Sequence, residues 1–263
     1  TDDSVYEGNE TGIVAIDTVS GGSATEDGTQ SVTITITENE SSPTITLATS
    51  ATSIAENAGT SLTLTATSSV AADEDITVTI GTGGGGTEGT DYSTISDITI
   101  SAGATTGTAS FTPTDDNVYE GNESPVVSIT GVSGADAAED GTQSVTITIT
   151  ENESAPTVTL TSSASSIAEN AGSSLTLTAT LSVATTADVT VGISTTGTGT
   201  EGTDYSTISD ITISAGATTG TASFTPTDDS VYEGNETGIV AIDTVSGGSA
   251  TEDGTQSVTI TIT

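Results

Sequence analysis

The 263-residue chain carries 37 Asp plus Glu against no Lys, Arg or His, a net charge of −37, and it has no Cys, Met or Trp. No side chain can neutralise phosphates, which excludes DNA and RNA as partners, and the lack of Cys excludes a disulfide framework. Compaction works against self-repulsion, so counter-charge must come from outside, as metal ions or basic partners.

Other functions fall to the same composition. With no His, Cys, Lys or Arg there is no ordinary nucleophile and base pair and no zinc site of the usual ligands, so the chain is not expected to be an enzyme. No apolar run reaches membrane-spanning length, so no membrane insertion is expected in this segment, and no signal peptide is visible. Composition alone, with 3% aromatic residues, leans towards disorder. The strict alternation of apolar and polar residues overrules it.

Internal repetition organises the chain. Thr1 to Thr37 is identical to Thr227 to Thr263, and the related segment opening at Thr114 lies midway, so the period is 113 residues. The expected domains are a partial repeat at 1–37 and full repeats at 38–150 and 151–263. The partial copy matches the second full repeat rather than the first, which implies an array of two alternating variants. Because the segment opens inside a repeat, a longer natural chain is expected.

In chain order, the first full repeat predicts strands at Ile45-Thr46-Leu47, Leu62-Thr63-Leu64, Ile76 to Ile80, Ile98-Thr99-Ile100, around Phe111, Val126 to Ile129, and Val145 to Ile149. Thr on one face and Ile, Val or Leu on the other is the pattern of a strand with one buried face. Gly81 to Gly86, and its counterpart Gly192 to Gly199, is expected to be a surface loop. Asp27-Gly28, Asp140-Gly141 and Asp253-Gly254 mark turns before each closing strand. About seven short strands per repeat and no helical periodicity indicate an all-β fold of tandem immunoglobulin-like Greek-key β-sandwiches. The short linker, Glu38 to Ser42 before Pro43, predicts a stiff, rod-like array.

Acidic residues fall at strand ends: Glu56, Asp91, Asp115, Asp116, Glu120 and Glu123, repeated at the same spacing as Glu169, Asp204, Asp228, Asp229, Glu233 and Glu236. Adjacent carboxylates at a loop apex are stable when a cation compensates them, and Ca²⁺ takes six to eight oxygen ligands. A solvated acidic surface is the alternative reading of the same spacing.

The elements Ile54-Ala55-Glu56-Asn57, Gly89-Thr90-Asp91-Tyr92, Asp115 to Glu123 and the closing Val145 to Thr150 resemble the Calx-beta domain, over both full repeats and the leading fragment. In that family, known from sodium/calcium exchangers and large bacterial surface proteins, Ca²⁺ binds at one end of the sandwich. The resemblance implies Ca²⁺ ligands at Glu56, Asp91, Asp115, Asp116, Glu120 and Glu123 with the Val118 carbonyl. In the second repeat it implies Glu169, Asp204, Asp228, Asp229, Glu233 and Glu236 with Val231, and in the leading fragment Asp2, Asp3, Glu7 and Glu10. The departure is at the exit of the last strand, where a run of aspartates in the exchangers is replaced by Glu38-Asn39-Glu40 and Glu151-Asn152-Glu153. Glu38, Glu40, Glu151 and Glu153 are still expected as ligands, and metal there would fix the angle between neighbours.

Asn9, Asn39, Asn152 and Asn235 open Asn-x-Ser/Thr triplets, candidate N-glycosylation sites in a secreted protein; Asn122 does too, weakened by Pro125. These features predict a structural extender of an extracellular fibre or giant cell-surface adhesin. Its partners would be neighbouring repeats of the same chain, lateral copies in a filament, and covalent glycans. The alternatives are a Ca²⁺-sensing regulatory domain and a sugar- or surface-binding module. Near-identical tandem copies argue against the sensor, and the scarcity of aromatic stacking platforms against the binding module.

Overall fold

A computed structural model describes residues 3–263 of the chain. It divides into two compact units, one formed by Thr1–Asp115 with Glu123–Thr150 and the other by Asp116–Asn122 with Glu151–Thr263. Every regular element among the described residues is a β-strand. The alternation that predicted the strands sets their burial. Along Leu62–Ser68, Leu62, Leu64, Ala66 and Ser68 point inward while the intervening threonines point outward or lie half-buried. Such a segment has one face worth removing from water, and a sheet is the structure that does so at period 2.

In the first unit, one four-stranded sheet takes the order Thr106–Phe111, Leu62–Ser68, Thr44–Thr49, Ala138–Glu139. The other takes the order Ser144–Thr146, Pro125–Ser133, Ile76–Gly84, Ile98–Ile100. Neighbours distant in sequence, such as Ala138–Glu139 lying parallel to Thr44-Ile45, are the crossovers of a Greek-key sandwich. The closing strand Thr148–Thr150 pairs with Ser53–Ala55. The second unit repeats the plan, with Glu236–Ser246 between Ser257–Ile262 and Val189–Gly197. Each core is built round one aromatic stack: Tyr92 on Phe111 with ring centroids 4.9 Å apart, and Tyr205 on Phe224 at 4.6 Å. All four rings are at most 1% exposed.

All seven expected strands of the first repeat are present, the last of them broken at Ile147 into Ser144–Thr146 and Thr148–Thr150, which join different sheets. The short strands Ser53–Ala55, Ala71–Ala72, Val118–Tyr119 and Ala138–Glu139 escaped the sequence reading, because two or three residues cannot display an alternation. One expectation is corrected. Most of the glycine-rich stretch is strand, since Ile76–Gly84 runs through it and pairs Gly81 to Gly84 with Pro125 to Ser128. Glycine is needed there for close approach: a Cβ on Gly84, at φ +81°, would lie 2.6 Å from the Ser124 carbonyl oxygen. The counterpart Val189–Gly197 is strand for the same reason, with a Cβ on Gly197 falling 2.1 Å from the Thr237 carbonyl oxygen.

The leading fragment supplies an internal control on burial. Its strands Glu10–Ala15 and Ser31–Ile36 pair only with each other. Val14 and Ile34 are therefore 62% and 51% exposed, whereas their sequence-identical counterparts Val240 and Ile260 are fully buried in the second unit. The difference lies in the covering sheet, because the sequence is the same. Val240→Ala is expected to destabilise its unit by about 2 kcal/mol, from two lost methyl groups and a residual cavity. Val14→Ala is expected to fall within ~0.5 kcal/mol of no effect. Denaturant unfolding of the two variants against the parent chain measures the contrast.

Candidate metal centres

The second unit shows the complete arrangement. Glu169 follows the strand Ser166–Ile167, and its backbone N–H bonds the Thr263 carbonyl at 3.0 Å, so the closing strand fixes its position. Asp204 sits in a tight turn in which Thr200 N–H donates to its carboxylate at 2.6 Å and Thr227 N–H to its carbonyl at 3.0 Å. Asp229 receives the Val231 N–H at 2.6 Å and donates its own N–H to the Glu169 carboxylate at 3.2 Å. Strand ends and Asx-type turns thus bring side chains from three separate segments to one end of the sandwich.

Two groups of carboxylates result. Glu169, Asp229 and Glu233 each offer an oxygen within 4.8 Å of the others, and so do Asp204, Glu233 and Glu236. Glu233 belongs to both. Burial, followed by the negative charges of Asp204, Asp229, Glu236 and Glu169, raises the Glu233 pKa. Burial, followed by Asp204 and Glu169, raises that of Glu236. These are the shifts expected of carboxylates gathered without a cation.

In the first unit Asp91 and Glu123 offer oxygens within 4.8 Å of each other. Asp91 is held by the Thr87 N–H at 2.5 Å, and Glu123 by a backbone bridge to Ile149. Glu56, 6% exposed, donates its backbone N–H to Thr150. Asp115 and Asp228 are exposed and stand outside these groups. In the leading fragment Asp3, Glu7, Glu10, Glu38 and Glu40 line one cleft of about 250 Å³, and the charge of Asp3, with burial and the other nearby acids, raises the Glu7 pKa. Asp2 lies outside the described residues.

The linker glutamates have a role that the sequence did not reveal. Glu151 accepts the backbone N–H groups of Glu120 and Gly121 on one oxygen, both at 2.7 Å, and those of Asn152 and Glu153 on the other, at 2.9 and 3.0 Å. Burial opposes its ionisation, yet the donors from Glu153, Glu120 and Gly121 hold its pKa down to about 2. Glu38 does the same for Glu7 and Gly8 at 2.6 and 2.9 Å; the Glu40 N–H leads the donors that lower its pKa to about 2. Four of the five sequon asparagines serve this lock as well. Asn9 accepts the Glu38 N–H at 2.8 Å, while Asn39 and Asn152 donate their side-chain amides to Glu40 and Glu153. The Asn122 side chain accepts the Glu151 N–H at 3.0 Å. Glu88 and Glu201, overlooked in the sequence, brace the turn before each aspartate by accepting the Ile95 and Ile208 N–H groups at 2.7 Å.

The two kinds of carboxylate predict opposite pH responses. Glu233 and Glu236, raised in the fold, bind protons more tightly there than in the unfolded chain, so acidification from neutral pH should stabilise the protein in chelator. Glu38 and Glu151, depressed, contribute stability above their ordinary value of 4.5 that is lost as pH falls towards about 2. Thermal melts in chelator across this range should therefore pass through a mildly acidic maximum. Saturating Ca²⁺ should remove the rise on the neutral side.

The Calx-beta domain model matches residues 38–153 and again 151–263. A search of curated protein sequences gives no match. Among solved structures, the CBD12 region of CALX1.2 is 16% identical, with 80% of this chain and 96% of that one covered and a TM-score of 0.37. The apo form of the Calx CBD1 domain is 17% identical, covering 42% of this chain and 99% of that one, with a TM-score of 0.36. The Yersinia pseudotuberculosis adhesin InvE is 12% identical, covering 84% of this chain and 60% of that one, also at 0.36.

Proposed function

Because the chain belongs to the Calx-beta domain family through two tandem copies, we propose that it is a structural extender of an extracellular fibre or giant surface adhesin, with Ca²⁺ stiffening each repeat. The observation that carries this reading is Glu233, whose carboxylate is shared by two three-membered acidic groups with no cationic side chain anywhere in the sequence.

The donor set suits the ion. Ca²⁺ prefers hard oxygen ligands at about 2.3–2.6 Å, so two ligands of one ion lie no more than about 5 Å apart. The carboxylate oxygens of each group fall within 4.8 Å of one another. Glu169, Asp229 and Glu233 would hold one ion, and Asp204, Glu233 and Glu236 another. Bound there, Ca²⁺ supplies the positive charge that the chain lacks and ties three separate segments at the end of the sandwich. Extracellular fluid, where that ion is plentiful, is the environment in which such a device stays loaded. The near-identity of the repeats favours length over regulation, since a sensor needs one or two tuned sites and an extender needs many alike. The role is structural, without catalysis.

Ca²⁺ at 100 times its dissociation constant should add about 2.7 kcal/mol per independent site. Glu233→Gln sharpens the test through a change of sign. In chelator the variant should melt higher than the parent, because a repelling charge is gone, and in Ca²⁺ it should melt lower, because two groups lose a shared ligand. Superimposable parent melts in Ca²⁺ and chelator would refute the metal reading.

A further inference from the structure

The segment Thr1 to Thr11 is identical to Thr227 to Thr237, yet its tyrosine has two fates: Tyr6 is 9% exposed and Tyr232 is 97% exposed. Sequence cannot be the cause, so the surroundings must be. In the first unit Val5–Tyr6 adds as a short parallel strand to Ala71–Ala72, and the Asp73 N–H bonds the Tyr6 carbonyl at 3.1 Å. The phenol donates to the Asp136 carboxylate at 3.1 Å and accepts from the Ser42 hydroxyl at 3.3 Å. The socket wall is unusual backbone: Ala135 and Asp136 both hold positive φ, at 51° and 49°, a conformation that non-glycine residues adopt at some energetic cost. In the second unit Val118–Tyr119 makes the same parallel pairing with Ala184–Thr185.

We propose that Val231–Tyr232 is a docking plug whose occupant is a further Calx-beta repeat of the 38–150 type, presenting a free Ala71–Ala72 edge and the Asp136 socket. The interaction is strand addition for affinity and a buried phenol for register. The two repeat variants give it a specificity. Residues 1–37, identical to the end of the 151–263 repeat, seat their tyrosine in a 38–150 socket, whereas the 151–263 repeat has Thr185 and Ser249 where the other has Ala72 and Asp136. The plug lies within the acidic loop between Asp229 and Glu233, so docking and ion binding act on one segment. The proposal rests on the extender reading and supplies its joint.

The test is tyrosine nitration of the full chain, alone and extended after Thr263 by a second copy of residues 38–150, with peptides from Glu-specific cleavage read by mass spectrometry. Tyr232 should react fast in the parent and slow to the rate of Tyr6 in the extended chain. An Asp136→Ala change confined to the appended copy should restore much of its reactivity while leaving Tyr6 slow. Unchanged, fast nitration of Tyr232 in the extended chain would overturn the proposal. Small-angle scattering of the same extended chain separates the two ideas: an elongated particle with a reactive Tyr232 overturns docking alone, and a compact particle overturns the extender reading.

Discussion

Carboxylate repulsion without an internal cation is the constraint on which the rest of the structure depends. A fold with 37 acidic side chains and no basic one has three ways to place a carboxylate: exposed in water, against backbone N–H groups, or gathered for an external ion. All three are in use. Asp115 and Asp228 take the first. Glu38, Glu151, Glu88 and Glu201 take the second, and the groups centred on Glu233 take the third.

The second and third solutions meet in one loop. In the second unit the segment from Asp116 to Asn122 is held by Glu151, whose four N–H partners come from that segment and from the linker itself, and the same segment carries Asp116, Glu120 and the Val118–Tyr119 strand. One loop therefore carries acidic side chains, donates its backbone to the linker glutamate and adds a short parallel strand to Ala184–Thr185.

Much of the fold was legible because burial on one sheet face writes itself into the sequence at period 2, as in Ile76 to Ile80 or Val145 to Ile149. The two- and three-residue edge strands were not, since their pairing is decided by backbone geometry. The glycine stretch misled for a related reason: Gly81 and Gly84 look like loop composition, and only the opposing backbone at Ser124 shows that they are glycines of close approach. Spacing singled out Glu169, Asp204, Asp229, Glu233 and Glu236, which the structure gathers into two acidic groups, because each lies by a strand end or turn that the sequence marks. It could not distinguish Asp228 from Asp229, which are adjacent acids with different outlooks. Nor could it tell that Glu151 accepts four backbone N–H groups, or that Asn9, Asn39, Asn122 and Asn152 brace the linker.

Calcium binding by the full chain, titrated calorimetrically at about 0.15 M and about 1 M NaCl, separates built sites from a diffuse ion atmosphere, since the screening length falls from about 8 Å to about 3 Å between them. Sites made of carboxylate oxygens within 4.8 Å of one another should retain a saturable, fixed stoichiometry at both salt concentrations. Binding that has no fixed stoichiometry and vanishes at high salt would show that the clustered carboxylates are only an acidic surface, and would contradict the reading of this chain as a calcium-stiffened repeat.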